Sequence, residues 1–137
     1  INGGIAAAFG DVAVEDDVFL GPAVVFTNDL RPRAEIKKSG DALTRTLVRR
    51  GATLGAGCVV VAGHTVGESS FPGAGGVVPR ALAPHGFYVG NPARLRGWVC
   101  RCGERLEADL GCRCGRRYRR VDPDTETAGL EEVRDGG

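Results

Sequence analysis

The sequence predicts an all-β solenoid of short, stacked, parallel strands, followed by a small cysteine-rich appendage. The first observation is that residues 48–83 divide into six consecutive hexads with nothing left over: VRRGAT, LGAGCV, VVAGHT, VGESSF, PGAGGV and VPRALA. A period of six fits neither a helix, with about 3.6 residues per turn, nor a simple alternating strand. The second observation is that glycines recur within these hexads. Each hexad is therefore interpreted as one short strand and one corner of a coil.

Two positions of each hexad are expected to point inward. The first is aliphatic or proline in all six hexads: Val48, Leu54, Val60, Val66, Pro72 and Val78. The fifth is small in four of the six: Ala52, Cys58, His64, Ser70, Gly76 and Leu82. Glycine at the corners would take backbone angles that other residues resist. Cys58 is then a buried, free and inert thiol.

The solenoid is predicted to occupy residues 1–83. The chain begins inside a hexad, INGGIA, so we expect that earlier coils are missing from this piece. The repeat is clean from residue 14, where VEDDVF and LGPAVV put Leu20 and Val24 inward. It breaks over residues 28–46, a polar and basic stretch punctuated by proline and glycine. A long excursion from one corner of a compact solenoid favours a functional loop over a merely tolerated insertion.

The chain leaves the solenoid at residues 84–97, where two prolines prevent regular pairing. Residues 98–120 carry the third observation, two Cys-x-Cys-Gly pairs, with Cys100, Cys102, Cys112 and Cys114. Four thiolates on two tight turns suit tetrahedral zinc in a ribbon-like module, with no open position for catalysis. Reduced free thiols and disulfides are the alternatives. Residues 121–137 are acidic and poor in apolar side chains, which predicts a disordered tail.

The net charge of +1 hides a division between two segments. Residues 94–120 carry nine arginines against three acids, and residues 121–137 carry six acids against one arginine. The basic segment favours solvation and anionic ligands over nucleic acid. No apolar run is long enough to span a membrane, and no signal peptide is visible. We expect a cytoplasmic protein without a membrane partner.

Several stretches resemble one branch of the hexapeptide acyltransferases: VEDDVFLGPAVVFTND, RPRAE, TLVRRGATLGAG, AGHTVGE and VGNPARLRGW. The chain is similar there to bacterial N-acetyltransferases that acetylate the 3-amino group of UDP-2-acetamido-3-amino-2,3-dideoxy-glucuronate, in the synthesis of surface polysaccharides such as O-antigen. The resemblance covers residues 1–98. It implies a left-handed parallel β-helix, a homotrimer, and acetyl-CoA in the groove between subunits with the nucleotide sugar nearby.

The resemblance also implies roles for individual residues. Asn28 matches the asparagine that orients the sugar's amino group. His64 is a candidate base because it is one of only two histidines, but the resemblance does not settle its role, and a structural or corner-lining role stays open. Arg33 would bind the sugar carboxylate or the diphosphate, and the neighbouring Arg31 is a further substrate candidate. Residues expected to line coenzyme A are Gly63, Thr65, Ala74, Gly75, Arg80, Gly90, Asn91, Pro92 and Arg94.

The chain departs from the pattern near its start. Gly3 and Gly4 stand where relatives have an asparagine pair, and Ala8, Phe9 and Gly10 where they have Tyr-Glu. Both regions help to bind the nucleotide sugar, so the sugar's identity stays open, as does the activity of this piece alone. Two other functions also remain: a hexapeptide scaffold without catalysis, and a zinc-ribbon module that binds a partner through its arginines.

Overall fold

The computed structural model describes residues 11–38 and 44–134, and this part of the chain is all-β apart from one 3-10 turn at Glu126–Ala128. Nine short strands come first: β1 Val12–Val14, β2 Phe19–Leu20, β3 Val25–Phe26, β4 Thr46–Val48, β5 Thr53–Leu54, β6 Val59–Val60, β7 Thr65–Val66, β8 Phe71–Pro72 and β9 Val77–Val78. The remaining strands are β10 Gly86–Val89, β11 Arg94–Trp98, β12 Arg117–Arg120 and β13 Leu130–Val133. Within the described ranges, no helix is long and apolar enough to cross a bilayer.

The short strands pair in parallel across successive repeats. The sheets run β1-β4-β7, β2-β5 and β3-β6-β9, and β8 continues from β5 through the hydrogen bond from the Gly55 amide to the Pro72 carbonyl, at 2.9 Å. Val48 pairs with Val66, and Val60 pairs with Val78. The two residues of each pair are three hexads apart, so one repeat of the parallel pairing spans three hexads.

The inward positions form the main core. All six first-position residues are buried, and so are the fifth-position residues other than His64. Leu20 and Val24 are also buried, as predicted. His64 differs from the expectation because Ala62 occupies the core at that corner, fully buried, while the larger imidazole is only half-buried.

Close contact between neighbouring repeats explains the glycine pattern. A Cβ on Gly67 would lie 2.4 Å from the Leu82 carbonyl oxygen, and one on Gly55 would lie 2.5 Å from the Ala74 nitrogen. Both distances are shorter than van der Waals contact, so these corners require glycine for space.

The last repeat ends in a hairpin. β10 pairs in parallel with β8 and antiparallel with β11, and the turn between β10 and β11 contains a cis peptide bond at Asn91–Pro92. Tyr88 is 8% exposed and packs in the main core, where its hydroxyl accepts a hydrogen bond from the Ala83 amide at 2.9 Å.

The appendage has a small core of its own. Cys100, Tyr118 and Leu130 are buried together, with Trp98, Leu106, Leu110 and Cys112 packed around them. The prediction of a disordered tail from residue 121 is wrong for residues 130–133. These residues form β13, antiparallel to β12, because Leu130 fills the apolar core while Glu131 pairs with Arg119 at 2.7 Å.

Candidate functional site

Hydrogen bonds attach the base of the inserted loop to one corner between the parallel strands. Where the loop leaves and returns, the Thr44 amide donates to the Asn28 carbonyl at 2.9 Å. On the next repeat, the Gly63 amide donates to the Thr46 hydroxyl at 3.2 Å. A Cβ on Gly63 would lie 2.9 Å from the Thr44 methyl group, so the loop base rests directly on this corner.

An open cavity of about 360 Å³ lies beside the loop base. Its lining consists of Asp11, Ala13, Arg45, Thr46, Leu47, Gly63, His64 and Thr65. Three predicted site residues, Gly63, His64 and Thr65, are therefore brought together. The half-buried imidazole of His64 has both a carboxylate and a guanidinium in the same cavity wall.

Asn28 connects to this cavity through Asp11. The Asn28 side-chain Nδ2 donates to Asp11 Oδ2 at 3.2 Å. This bond uses the amide's donor side, and an amide carbonyl oxygen accepts but does not donate. The arrangement therefore directs Asn28 to offer its oxygen to a donor such as an amine.

Sequence reasoning did not identify Asp11. A signal becomes visible once the strands are aligned, because Val14, Val48 and Val66 pair in register across three repeats. Asp11 stands three residues before the first of these valines, as Gly63 stands three before the last. The inserted loop conceals this alignment in the sequence.

The predicted arginines of the loop lie apart from the cavity lining. Arg31 and Arg33 are exposed, and Arg33 Nη1 donates to the Pro32 carbonyl at 2.8 Å. In the same loop, Lys38 forms an ion pair with Asp29, at 2.8 Å. The hydrogen bond from Lys38 lowers the pKa of the Asp29 carboxyl, so this carboxyl is ionised at neutral pH.

The other predicted coenzyme residues lie on a different part of the surface from the cavity. Ala74, Gly75, Arg80, Gly90, Asn91, Pro92 and Arg94 are all exposed. Two of these stretches meet, because the Val77 amide donates to the Gly90 carbonyl at 3.0 Å and the Ala93 amide donates back to the Val77 carbonyl at 2.8 Å. The corner at residues 74–76 and the β10–β11 turn are thus adjacent, and Arg94 leads out of that turn.

The four predicted metal ligands are close together. The sulfur atoms of Cys100, Cys102, Cys112 and Cys114 all lie within 4.8 Å of one another. Cys100 and Cys114 are 3.6 Å apart between sulfurs, and so are Cys102 and Cys112. Zinc–sulfur bonds of about 2.3 Å in a tetrahedron place sulfurs about 3.8 Å apart, so this donor set fits zinc.

The two cysteine turns are copies of one structure. In the first, the Cys100 amide donates to Glu104 and the Gly103 amide to Cys100, and in the second the Cys112 amide donates to Arg116 and the Gly115 amide to Cys112, all at 2.9 Å. The two glycines have nearly equal φ values, 100° and 99°. Residues 98–106 thus repeat as 110–118, a duplication that the sequence analysis missed although the pairs WVCRCG and LGCRCG show it.

Of the two cysteines in the second turn, Cys114 favours the thiolate. The pKa of Cys114 falls to about 6, chiefly because the Arg116 amide donates to its sulfur. The Arg116 side chain adds a further hydrogen bond at 3.3 Å. Deprotonated sulfur is the form that binds metal.

Comparison with known proteins gives relatives of one kind. A dTDP-3-amino-3,6-dideoxy-alpha-D-galactopyranose 3-N-acetyltransferase from Aneurinibacillus thermoaerophilus is 45% identical over 85 residues, which cover 60% of this chain and 44% of that protein. The chain therefore spans less than half of this relative. Family models give no match to the chain.

The similar solved structures are also acyltransferases. The serine acetyltransferase of Brucella abortus strain S19, in complex with coenzyme A, has a TM-score of 0.54 at 29% identity, covering 66% of this chain and 33% of that one. AntD, an N-acyltransferase from Bacillus cereus solved with dTDP and coenzyme A, has a TM-score of 0.56 at 16% identity, covering 66% of this chain and 54% of that one. The relatives are sugar and acyl acetyltransferases of the hexapeptide-repeat family. The resemblance noted in the sequence is confirmed.

Proposed function

We propose that this chain is part of an N-acetyltransferase that moves an acetyl group from acetyl-CoA to the amino group of a nucleotide-linked sugar. The observation that carries the proposal is the cavity at the loop base, which Asp11 and His64 both line, and where Asp11 accepts a hydrogen bond from the Asn28 side chain. The 45% identity to a dTDP-amino-sugar N-acetyltransferase supports the reaction class. From the resemblance in the sequence we also propose a left-handed parallel β-helix within residues 1–83 that assembles as a homotrimer; residues 1–10 and 39–43 of this range lie outside the described residues.

The chemistry is attack by a neutral amine on a thioester carbonyl. A C–N bond forms, the C–S bond breaks, the amine loses a proton and the coenzyme leaves as a thiol. The Asn28 oxygen would accept a hydrogen bond from the amine and hold it in line for attack. His64 would take the proton on an imidazole nitrogen, as a general base. A backbone amide at the corner would stabilise the oxyanion.

The sugar is proposed to be a nucleoside-diphosphate 3-amino sugar. The relative from Aneurinibacillus thermoaerophilus favours a dTDP-linked sugar, whereas the resemblance in the sequence favours a UDP-linked uronic acid for surface polysaccharide such as O-antigen. Arg31 and Arg33 on the exposed loop would then bind the diphosphate or carboxylate. Reactants of this kind belong to the cytoplasm.

Acetyl-CoA is proposed to lie along Gly63, Thr65, Ala74 and Gly75, and under the turn at residues 90–94, with Arg80 and Arg94 toward its phosphates. The corner at residues 74–76 and the turn adjoin through the Val77 bonds, which supports a shared binding surface for these two stretches. Gly63 and Thr65 line the separate cavity at the loop base. AntD and the Brucella enzyme were both solved with coenzyme A.

A structural zinc ion is proposed for the cysteine cluster. Cys100, Cys102, Cys112 and Cys114 would hold it, which fits the measured sulfur separations. Zinc would supply folding free energy to the module and no step of the reaction.

The experiment is an acetyl-transfer assay on the intact protein. Release of free coenzyme A thiol is followed with acetyl-CoA and three acceptors: a dTDP-3-amino sugar, a UDP-linked 3-amino uronic acid, and serine as a non-sugar control. We expect turnover with one or both nucleotide sugars and none with serine. Asn28→Ala should lower kcat about 10-fold to 1,000-fold through loss of amine positioning, while Lys38→Ala in the same loop should keep activity. Absence of turnover with both nucleotide sugars would favour the scaffold alternative.

A further inference from the structure

We propose that the cysteine module, when it holds its metal, is the end cap of the solenoid, and that Tyr118 and His85 are the positioning residues that transmit metal occupancy to the last coil. The last coil is defined here as residues 82–98, which include β10 and β11. This inference rests on the zinc site proposed above. In this proposal the appendage has a structural role, which is to stabilise the last coil.

Two separate segments of the module bind the start of the last coil. The Val99 amide donates to the His85 carbonyl at 2.8 Å, and the imidazole Nδ1 of His85 lies 2.9 Å from the Val99 carbonyl. Because a carbonyl only accepts, Nδ1 carries the hydrogen. From β13, the Leu130 amide donates to the Pro84 carbonyl at 3.2 Å. Residues 84 and 85 are thus held from both sides.

Tyr118 touches both a metal ligand and the last coil. Its hydroxyl accepts from the Arg101 amide at 3.0 Å, which leaves the hydroxyl hydrogen for the sulfur of Cys100 at 3.2 Å. Its ring lies 4.7 Å from the His85 ring, measured between centroids. Tyr118 is 5% exposed and His85 is 7% exposed. A rearrangement of the thiolates would therefore reach His85 through two buried rings in direct contact.

The last coil depends on this attachment at its start. The His85 amide donates to the Glu68 carbonyl of the preceding repeat at 2.9 Å. Three residues later, Tyr88 enters the main core, and β10 continues into the turn at residues 90–93. Release of His85 would loosen the turn that is proposed to cover coenzyme A.

The module depends in turn on its metal. The buried core of the module, among the described residues, consists of Cys100, Tyr118 and Leu130, which is too small to supply the folding free energy of an independent unit. Four sulfurs held within 4.8 Å need a cation between them once they are deprotonated. Loss of the metal should therefore unfold the module and release its hold on residues 84 and 85.

The test is hydrogen–deuterium exchange on the intact protein, zinc-loaded and after chelator treatment. We expect metal removal to raise amide exchange in the peptide spanning residues 86–98 at least 10-fold, and to leave the peptide spanning residues 48–66 unchanged. The second measurement is the rate of zinc transfer to a chromogenic chelator. Tyr118→Phe should raise that rate about 10-fold to 100-fold, because second-sphere hydrogen bonds contribute that much to affinity. Tyr88→Phe is the matched control, since its hydroxyl bonds only within the last coil.

The His85→Gln variant separates the effect of Tyr118 on the metal from the effect of His85 on the last coil. It should keep the zinc-transfer rate of the unaltered protein while it raises exchange over residues 86–98 with the metal bound. If the protein neither carries zinc when purified nor takes up added zinc, the metal site itself is wrong. If zinc binds but its removal leaves residues 86–98 protected, or raises exchange equally over residues 48–66, the end-cap proposal is overturned and the metal site stands.

Discussion

The residue whose chemistry is most completely set by its surroundings is Cys58, which lies outside the cysteine cluster. Its side chain is fully buried, and its sulfur lies 3.1 Å from the Gly73 carbonyl oxygen. Burial raises the pKa of the Cys58 thiol, since an apolar interior disfavours the charged form. The thiol therefore stays protonated at neutral pH, and it donates a hydrogen bond to the Gly73 carbonyl that joins two successive repeats.

This environment predicts a division among the five cysteines. In zinc-free protein, four thiols should react with a disulfide reagent at pH 8, and the Cys58 thiol should react only after unfolding, because thiolate is the reactive form. Absorbance of the released reagent, with and without denaturant, measures both phases. Cys58→Ala is the control and should abolish the denaturant-dependent phase alone. A fifth fast thiol in the native, zinc-free protein would contradict the buried placement.

At the scale of elements, the corner glycines explain why the hexads tolerate some substitutions and not others. Gly67 and Gly73 begin equivalent corner segments, but their spaces differ. A Cβ on Gly67 would lie 2.4 Å from the Leu82 oxygen and 2.7 Å from the Pro84 nitrogen. A Cβ on Gly73 would make an ordinary contact of 3.5 Å with the Tyr88 oxygen. At Gly67 the next repeat leaves no space for a Cβ, whereas at Gly73 a Cβ would fit.

We therefore expect Gly67→Ala to destabilise the protein by about 1–3 kcal/mol, since the backbone itself must move to admit the methyl group. Gly73→Ala should change stability by less than about 1 kcal/mol and is the matched control. Thermal unfolding followed by circular dichroism compares the two variants. Equal melting temperatures for both would show that the repeats are not packed as closely at Gly67 as the distances require.

The same elements show what sequence reasoning can and cannot reach. The period of six identified the inward residues, since each must meet the same core in every repeat. It failed at His64, because a repeat pattern does not reveal that this side chain is only half-buried while Ala62, two residues earlier, is fully buried. It also missed Asp11, whose partner Asn28 is distant in sequence, and β13, whose single buried leucine is concealed in an acidic segment. A contact between residues on either side of a loop leaves no periodic pattern in the sequence. A strand with a single buried apolar residue leaves none either.

At the scale of the whole molecule, the net charge of +1 is a poor guide to the surface. In the appendage, Arg101, Arg116 and Arg134 all lie within 3.4 Å of the Glu132 carboxylate. Arg94 and Arg117, by contrast, are exposed and form no ion pair within the described part of the chain. Unpaired guanidinium groups suit phosphate. Of Arg94 and Arg117, only Arg94 adjoins the proposed coenzyme surface.

This contrast yields a prediction about the intact protein. Acetyl-CoA at about 100 times its Kd should stabilise the fold by about 2.7 kcal/mol, because it binds only the folded state. Arg94→Ala should reduce the rise in melting temperature and weaken binding about 10-fold to 100-fold, since a charge-assisted hydrogen bond contributes about 1.5–3 kcal/mol. Arg117→Ala removes the same charge elsewhere and should leave the rise intact, as measured by thermal shift over a range of coenzyme concentrations. If both variants lose the shift equally, the effect is general electrostatic attraction, and if acetyl-CoA produces no shift in the unaltered protein, the molecule is a scaffold and not a transferase.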